Sequence, residues 1–156
     1  MKHLELQLPR ILNKLKDYAT QPSAYRVCVL CGGPLSHKTT VARKLSEELD
    51  GQYIDVLADK LMGEQRSVTL HGPTDFKKDI GQWSKETNSL LVVDEIEPLL
   101  DIWPRNAQED LLKLLSKWRT DCVILLVTRL NLPFEDYLGK ERVFRLGKMG
   151  GADYVE

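Results

Sequence analysis

The sequence predicts an α/β fold, a three-layer core in which a five-stranded, mostly parallel sheet is covered by helices on both faces. Two observations carry this expectation. Segments rich in Val, Leu and Ile read as continuous apolar runs, which suits strands buried on both sides. Segments with helical spacing come between them, so that strand and helix alternate along the chain. A length of 156 residues, 42% of them hydrophobic, suits one compact domain over 1–156, with residues 1–22 as an N-terminal helix and linker.

The elements follow in order. In "LPRILNKLKDYA", Leu8, Ile11, Leu12, Leu15 and Tyr18 recur at helical spacing. "TQPS" breaks that helix, and "YRVCVLC" is the first strand. "KTTVARKLSEELDG" is a helix with Val41, Leu45 and Leu49 on one face and Gly51 as its stop. "QYIDV" is a short strand. Residues 57–88 hold one or two helices and a loop around Gly72 and Pro73. "SLLVVDE" is the third strand. "RNAQEDLLKLLSKWRTD" is an amphipathic helix that turns Leu111, Leu112, Leu114, Leu115 and Trp118 inward. "CVILLVT" is the fourth strand and "RVFRLG" the fifth.

Composition excludes several classes. The formal net charge is -1, so the totals give no electrostatic footprint for nucleic acid. A local basic patch would not show in those totals, and DNA stays open as a partner on that ground alone. No apolar run approaches the roughly 20 residues of a membrane span. The N-terminus lacks the uninterrupted apolar core of a signal peptide. A cytoplasmic protein is expected. Three cysteines do not make a disulfide framework. Cys28 and Cys31 form a C-x-x-C, but both lie in an apolar strand, and a redox or metal role needs a helix start or further ligands. They read as core.

The chemistry concentrates in "GGPLSHKTT", residues 32–40. It follows a strand and opens a helix, and it has the spacing of the phosphate-binding loop G-x-x-x-x-G-K-[ST]. Gly32, Gly33, Pro34, Leu35, Ser36 and His37 would wrap phosphates with backbone N–H groups, helped by the helix N-terminus. Lys38 would reach the β- and γ-phosphates of ATP, Thr39 would give its hydroxyl to Mg²⁺, and Thr40 would make a minor contact. His37 stands where the second glycine belongs. A Gly-Pro turn before an ordinary helix is the structural alternative. A second motif counts against it: "LLVVDE" is a buried strand ending in two carboxylates about 55 residues after Lys38. Asp94 can hold Mg²⁺, and Glu95 can orient and deprotonate a water.

On these residues the chain resembles the AAA+ branch of P-loop ATPases. "VILLVTRLNLP" is similar to that family's fourth strand and sensor segment, which implies Thr128 or Asn131 as the polar sensor near the γ-phosphate. "LGKERVFRLG" is similar to the segment that carries an arginine finger given to a neighbouring subunit. The resemblance implies Arg142 for this role, with Lys140 and Arg129 behind it, and a homo-oligomer. More narrowly, the chain resembles the BrxF family of small P-loop proteins from BREX phage-defence systems. The likeness lies in the helix before "YRVCVLCGG", in "ADKLMGEQRSVTL", and in "DEIEPLLDIWPRNAQEDLLKLLSKWRTD". It implies an ATP-binding subunit of an antiviral system, with other defence subunits as partners.

Two departures point to slow hydrolysis or to nucleotide as a structural ligand. One is His37, because glycine lets a backbone approach phosphates without a Cβ. The other is "MGGADYVE", which follows the fifth strand closely and leaves no room for a helical lid. Two further readings remain. A P-loop small-molecule kinase would use Asp55 to bind an acceptor hydroxyl. A non-catalytic interaction subunit would keep a vestigial site and use Trp83 and Trp103, which lie near polar segments, at an interface.

Overall fold

The computed structural model describes residues 2–21, 25–33, 36–62 and 72–147. Pro34 and Leu35 of the expected loop, residues 63–70 of the "ADKLMGEQRSVTL" segment with His71 after them, and the "MGGADYVE" tail lie outside the described residues. In chain order the elements are α1 (Lys2–Thr20), β1 (Val27–Gly32), α2 (Lys38–Glu48), β2 (Gln52–Asp55), a π-helix (Val56–Met62), α3 (Pro73–Ser84), β3 (Leu90–Asp94), α4 (Glu97–Leu100), α5 (Arg105–Ser116), β4 (Val123–Thr128), α6 (Phe134–Leu138), a 3₁₀ turn (Lys140–Arg142) and β5 (Val143–Leu146).

The five strands form one sheet in the order β2-β3-β4-β1-β5, and every pairing is parallel. All residues of β3 and β4 are buried, as continuous apolar runs require when both faces are covered. Side-chain alternation splits the core in two. Val27, Val29, Cys31, Leu91, Val93, Ile124 and Leu126 face a layer made by α3, α5 and α6, around Phe76, Ile80, Leu111 and Leu115. Cys28, Leu30, Leu90, Val92, Leu125 and Val127 face α1 and α2, around Ile11, Leu15, Val41 and Leu45. The C-x-x-C is explained by this alternation. Three residues apart on a strand, its two thiols lie on opposite faces of the sheet, and the three cysteines form no disulfide. Burial pushes the Cys28 thiol up to about 12.

Several boundaries differ from the expectations. Helix α1 starts at Lys2 rather than near Leu8 and carries Pro9 inside it. The residues before Leu8 include good helix formers, whose preference opposes the lost N–H and the ring crowding that an interior proline brings. Strand β2 stops at Asp55, because Val56 opens the π-helix, whose Ala58 N–H donates to the Asp55 carboxylate at 2.8 Å. Helix α5 ends at Ser116, so Trp118 packs at the edge of the core instead of within a helix face. Short α4 and α6 had no periodic signal, being only four and five residues long.

The two tryptophans correct the interface reading. Trp83 and Trp103 are buried, and each ring meets Phe76 edge-on, with centroids 6.3 and 6.2 Å away. An aromatic stack of this kind anchors α3 to the α4–α5 turn. No helix among the described residues is long and apolar enough to cross a membrane.

Candidate functional site

The carboxyl ends of β1, β3 and β4 converge where ligands bind in open parallel sheets. Strand β4 lies between β1 and β3. It holds the loop after β1 and the acidic end of β3 two strand spacings apart, roughly 9.6 Å. The sequence could not show this gap, which depends on the strand order.

The loop after β1 turns tightly. A Cβ on Gly32 would stand 2.6 Å from the Leu146 carbonyl oxygen and 2.7 Å from Ser36 Oγ, so only glycine fits. Gly33 has no such neighbour. Ser36 is buried and donates its hydroxyl to the Gly33 carbonyl at 2.8 Å. The amine of Lys38 also reaches the Gly33 carbonyl, at 2.9 Å, and Ser36 Oγ at 3.3 Å. Lys38 thus crosses the loop it opens from. Burial lowers its pKa, against the raising effect of Glu97 and then Asp94.

His37 is the N-cap of α2, with φ 61 and ψ 31, the left-handed region. Glycine takes that conformation without strain, and histidine is among the residues that tolerate it. The side chain is exposed and makes no capping hydrogen bond to the helix. The motif's second glycine answers a backbone requirement, and the histidine meets it at about 1–2 kcal/mol of strain.

Thr39 and Asp94 meet although 55 residues separate them: the Thr39 hydroxyl donates to Asp94 Oδ2 at 2.8 Å. Asp94 is only 4% exposed, and a buried carboxylate needs donors. It has three. Tyr53, on β2, gives a second hydroxyl to Oδ2, and the Glu95 N–H donates to Oδ1 at 2.8 Å. Tyr53 was not among the residues expected here. Its ring carries the Arg43 guanidinium 4.5 Å from the centroid. Burial and the Asp94 bond both raise the Tyr53 pKa.

Glu95 has a left-handed backbone, φ 57, in a position with no glycine. Strain of this kind on a non-glycine residue persists only where the surroundings enforce it, and it clusters at functional sites. Burial raises the Glu95 pKa, as do the charges of Asp94, Glu97 and Asp55, while Arg129 opposes them.

Glu97 is the carboxylate that sequence reasoning missed. It is 5% exposed, and its Oε1 accepts the Thr128 hydroxyl at 3.0 Å and the Arg129 N–H at 2.6 Å. The only hint was a third acid in "DEIE", which reads equally well as a solvated turn. Thr128 is at the end of β4, as expected, but its hydroxyl is bound to Glu97. Asn131 is exposed. Thr40 is exposed on α2.

Arg142 does not present the exposed guanidinium that a finger requires. It is half-buried at the amino end of the sheet, where it donates to the carbonyls of Leu138, Val27 and Ser116 and lies 5.5 Å from the Tyr25 ring. Strand β1 separates it from its own loop by roughly 17 Å. Lys140 is exposed at the same end. Arg129 is the expected basic residue that the fold brings to the carboxyl edge.

The donor set suits Mg²⁺. Among the described residues no three His, Cys, Asp or Glu side chains are grouped to hold a metal ion. Magnesium does not need such a cage, since it takes one or two protein ligands and completes its shell with phosphate oxygens and water. The adjacent Thr39 hydroxyl and Asp94 carboxylate offer oxygens of that kind.

No family model matches the sequence, and no curated protein matches it at a significant level. Among solved structures, the chain is similar to C. elegans PCH-2, with a TM-score of 0.52 and 15% identity over 93% of this chain and 43% of that one. The chain therefore spans less than half the length of that protein. At this identity the likeness concerns the fold alone.

Proposed function

We propose that residues 32–40 form a P-loop that binds ATP with Mg²⁺, and that the chain is a slow, AAA+-like ATPase. The observation that carries this reading is the Thr39–Asp94 hydrogen bond, 2.8 Å long, beside a lysine folded across a glycine loop. These groups come from two separate motifs and meet at the carboxyl edge of one sheet. In this reading the loop N–H groups and the N-terminus of α2 hold the phosphates. Lys38 leaves the Gly33 carbonyl for a phosphate oxygen, exchanging a neutral partner for a charged one. Thr39 and Asp94 hold Mg²⁺, which neutralises phosphate charge. Glu95 takes the proton of the attacking water, and its raised pKa suits it to that role.

For the kinase alternative, one oxygen of the Asp55 carboxylate already accepts the Ala58 N–H of the π-helix. The resemblance to BrxF supports the finer part of the proposal. There the chain is a subunit of a BREX-type antiviral system, working through nucleotide-dependent self-association and binding to other defence subunits.

Lys38→Ala should weaken ATP binding by roughly 1.5–3 kcal/mol, the scale of a charge-assisted bond. Calorimetric titration of both proteins measures it, and equal affinities would remove the P-loop reading.

Glu95→Gln should keep ATP binding and lower turnover by about 10²–10⁴, the usual loss when a general base is removed. The base acts ionised, so wild-type turnover should fall as pH drops through a pKa above the ordinary glutamate value of about 4.3. A steady-state rate profile that keeps this acid limb in Glu95→Gln would assign the base elsewhere.

Sedimentation with and without ATP and Mg²⁺ should show larger species only with nucleotide. A monomer under both conditions, across concentration, would contradict the self-association.

His37→Gly separates strain from contact. Relief of about 1–2 kcal/mol of left-handed strain outweighs the roughly 0.5–1 kcal/mol of glycine's extra freedom in the unfolded chain. The variant should therefore melt at a higher temperature without nucleotide, with ATP affinity within about twofold of wild type. A loss of affinity would mean that the imidazole reaches the phosphates.

A further inference from the structure

Tyr53 has no part in the mechanism above, yet its hydroxyl is bound to the buried carboxylate at the centre of the site. An ionised carboxylate offers about four acceptor positions on its two oxygens. Asp94 uses two of them on Oδ2, for Thr39 and Tyr53, and one on Oδ1, for the Glu95 N–H. Thr39 is itself one of the oxygens offered to the metal, and the Glu95 N–H belongs to the neighbouring residue. Tyr53 alone comes from outside both motifs. It therefore fixes the tilt of the carboxylate independently of the groups that face a ligand.

The Tyr53 ring is in turn held in place. Strand β2 pairs Tyr53 with Val92 and Asp55 with Asp94, so Tyr53 and Asp94 lie on one face of the sheet. The ring packs against the core cluster that α2 covers. Arg43 stands one helical turn after Thr39, and its guanidinium lies 4.5 Å from the ring centroid. Helix α2 thus touches Asp94 through Thr39 and steadies Tyr53 through Arg43. A carboxylate gripped on both oxygens in this way has little freedom to swing, or to turn both oxygens toward one ion.

That rigidity bears on the choice of ion. Mg²⁺ demands near-ideal octahedral geometry, whereas Ca²⁺ accepts irregular shells and bidentate carboxylates. We propose that Tyr53 is the positioning residue that makes this site select Mg²⁺ over Ca²⁺, by holding Asp94 in one orientation against Thr39. This rests on the nucleotide reading of the site. Tyr53 acts through Asp94 and not on the ion, as hydrogen-bond partners behind metal ligands do.

The test is ATP affinity, by calorimetry, in Mg²⁺, in Ca²⁺ and without a divalent ion. Each ion's effect is the affinity with it divided by the affinity without it. In the wild type Mg²⁺ should strengthen ATP binding more than Ca²⁺ does. Tyr53→Phe keeps the ring and its packing and removes only the hydroxyl. It should lower the Mg²⁺ effect about ten- to hundredfold, the usual loss when such a partner is removed, with a smaller change for Ca²⁺ and none in metal-free ATP affinity. Arg43→Ala keeps the hydroxyl and frees the ring, and should lower the Mg²⁺ effect about two- to fivefold. An unchanged ratio of the two effects in folded Tyr53→Phe overturns the proposal. So does an equal fall in both, which gives Tyr53 a purely structural role. Should Tyr53→Phe fail to fold, an unchanged ratio in Arg43→Ala overturns it. A wild type that binds ATP equally well in either ion overturns the proposal while leaving the ATP site standing. A wild type that binds no ATP under any condition overturns the site reading itself, and the proposal falls with it.

Discussion

The carboxyl edge of this sheet depends on keeping the Asp94 carboxylate satisfied in a place where water hardly reaches it. A buried ionised carboxylate is costly unless donors surround it, and losing one donor costs about as much as a lost charged hydrogen bond, roughly 1.5–3 kcal/mol. The three donors come from different elements: Thr39 from α2, Tyr53 from β2, and the backbone that leaves β3. Asp94 thus ties together the helix that follows the loop, the outer strand and the acidic turn. Glu97 does the same for β4, through Thr128 and Arg129. Two buried acids, three residues apart in the chain, tie the carboxyl edge of the sheet together.

Those acids can serve so many elements because of the strand order. With β4 between β1 and β3, the end of β4 stands between the loop and the Asp94 turn. Asp94 spans the gap by pairing with α2, while Glu97 closes onto β4 itself. The left-handed backbone at Glu95 redirects the chain between the two acids. Another left-handed residue, His37, starts α2 at the other side of the same gap. These two strained positions flank the place where the elements converge; a third left-handed residue, Asp50, follows α2 at its far end.

The amino end of the sheet has a different character. There Arg26 donates to the carbonyls of Tyr18, Gln21 and Thr120, and Arg142 donates to those of Leu138, Val27 and Ser116. These guanidiniums satisfy carbonyls that strand and helix ends leave unpaired, which is structural work. The same residue type at the carboxyl edge, Arg129, donates its backbone N–H to Glu97, and its exposed guanidinium lies 3.9 Å from the Asp101 carboxylate.

The strands and the larger helices were legible because apolar runs and helical periodicity are local properties of the chain. The loop at 32–40 and the Asp94–Glu95 pair were legible because their residue types and spacing carry chemistry. Tyr53, Glu97 and the fate of Arg142 were not. Tyr53 reaches Asp94 only because β2 pairs beside β3, and Glu97 reaches Thr128 only because β4 pairs on the other side. Trp83 and Trp103 looked suited to a surface because their neighbours are polar, but packing around Phe76 buries them. Sequence by itself determined the strands, the larger helices, the layers and the two motifs. Strand order, which no local pattern encodes, decided which acids and which tyrosine meet at the site.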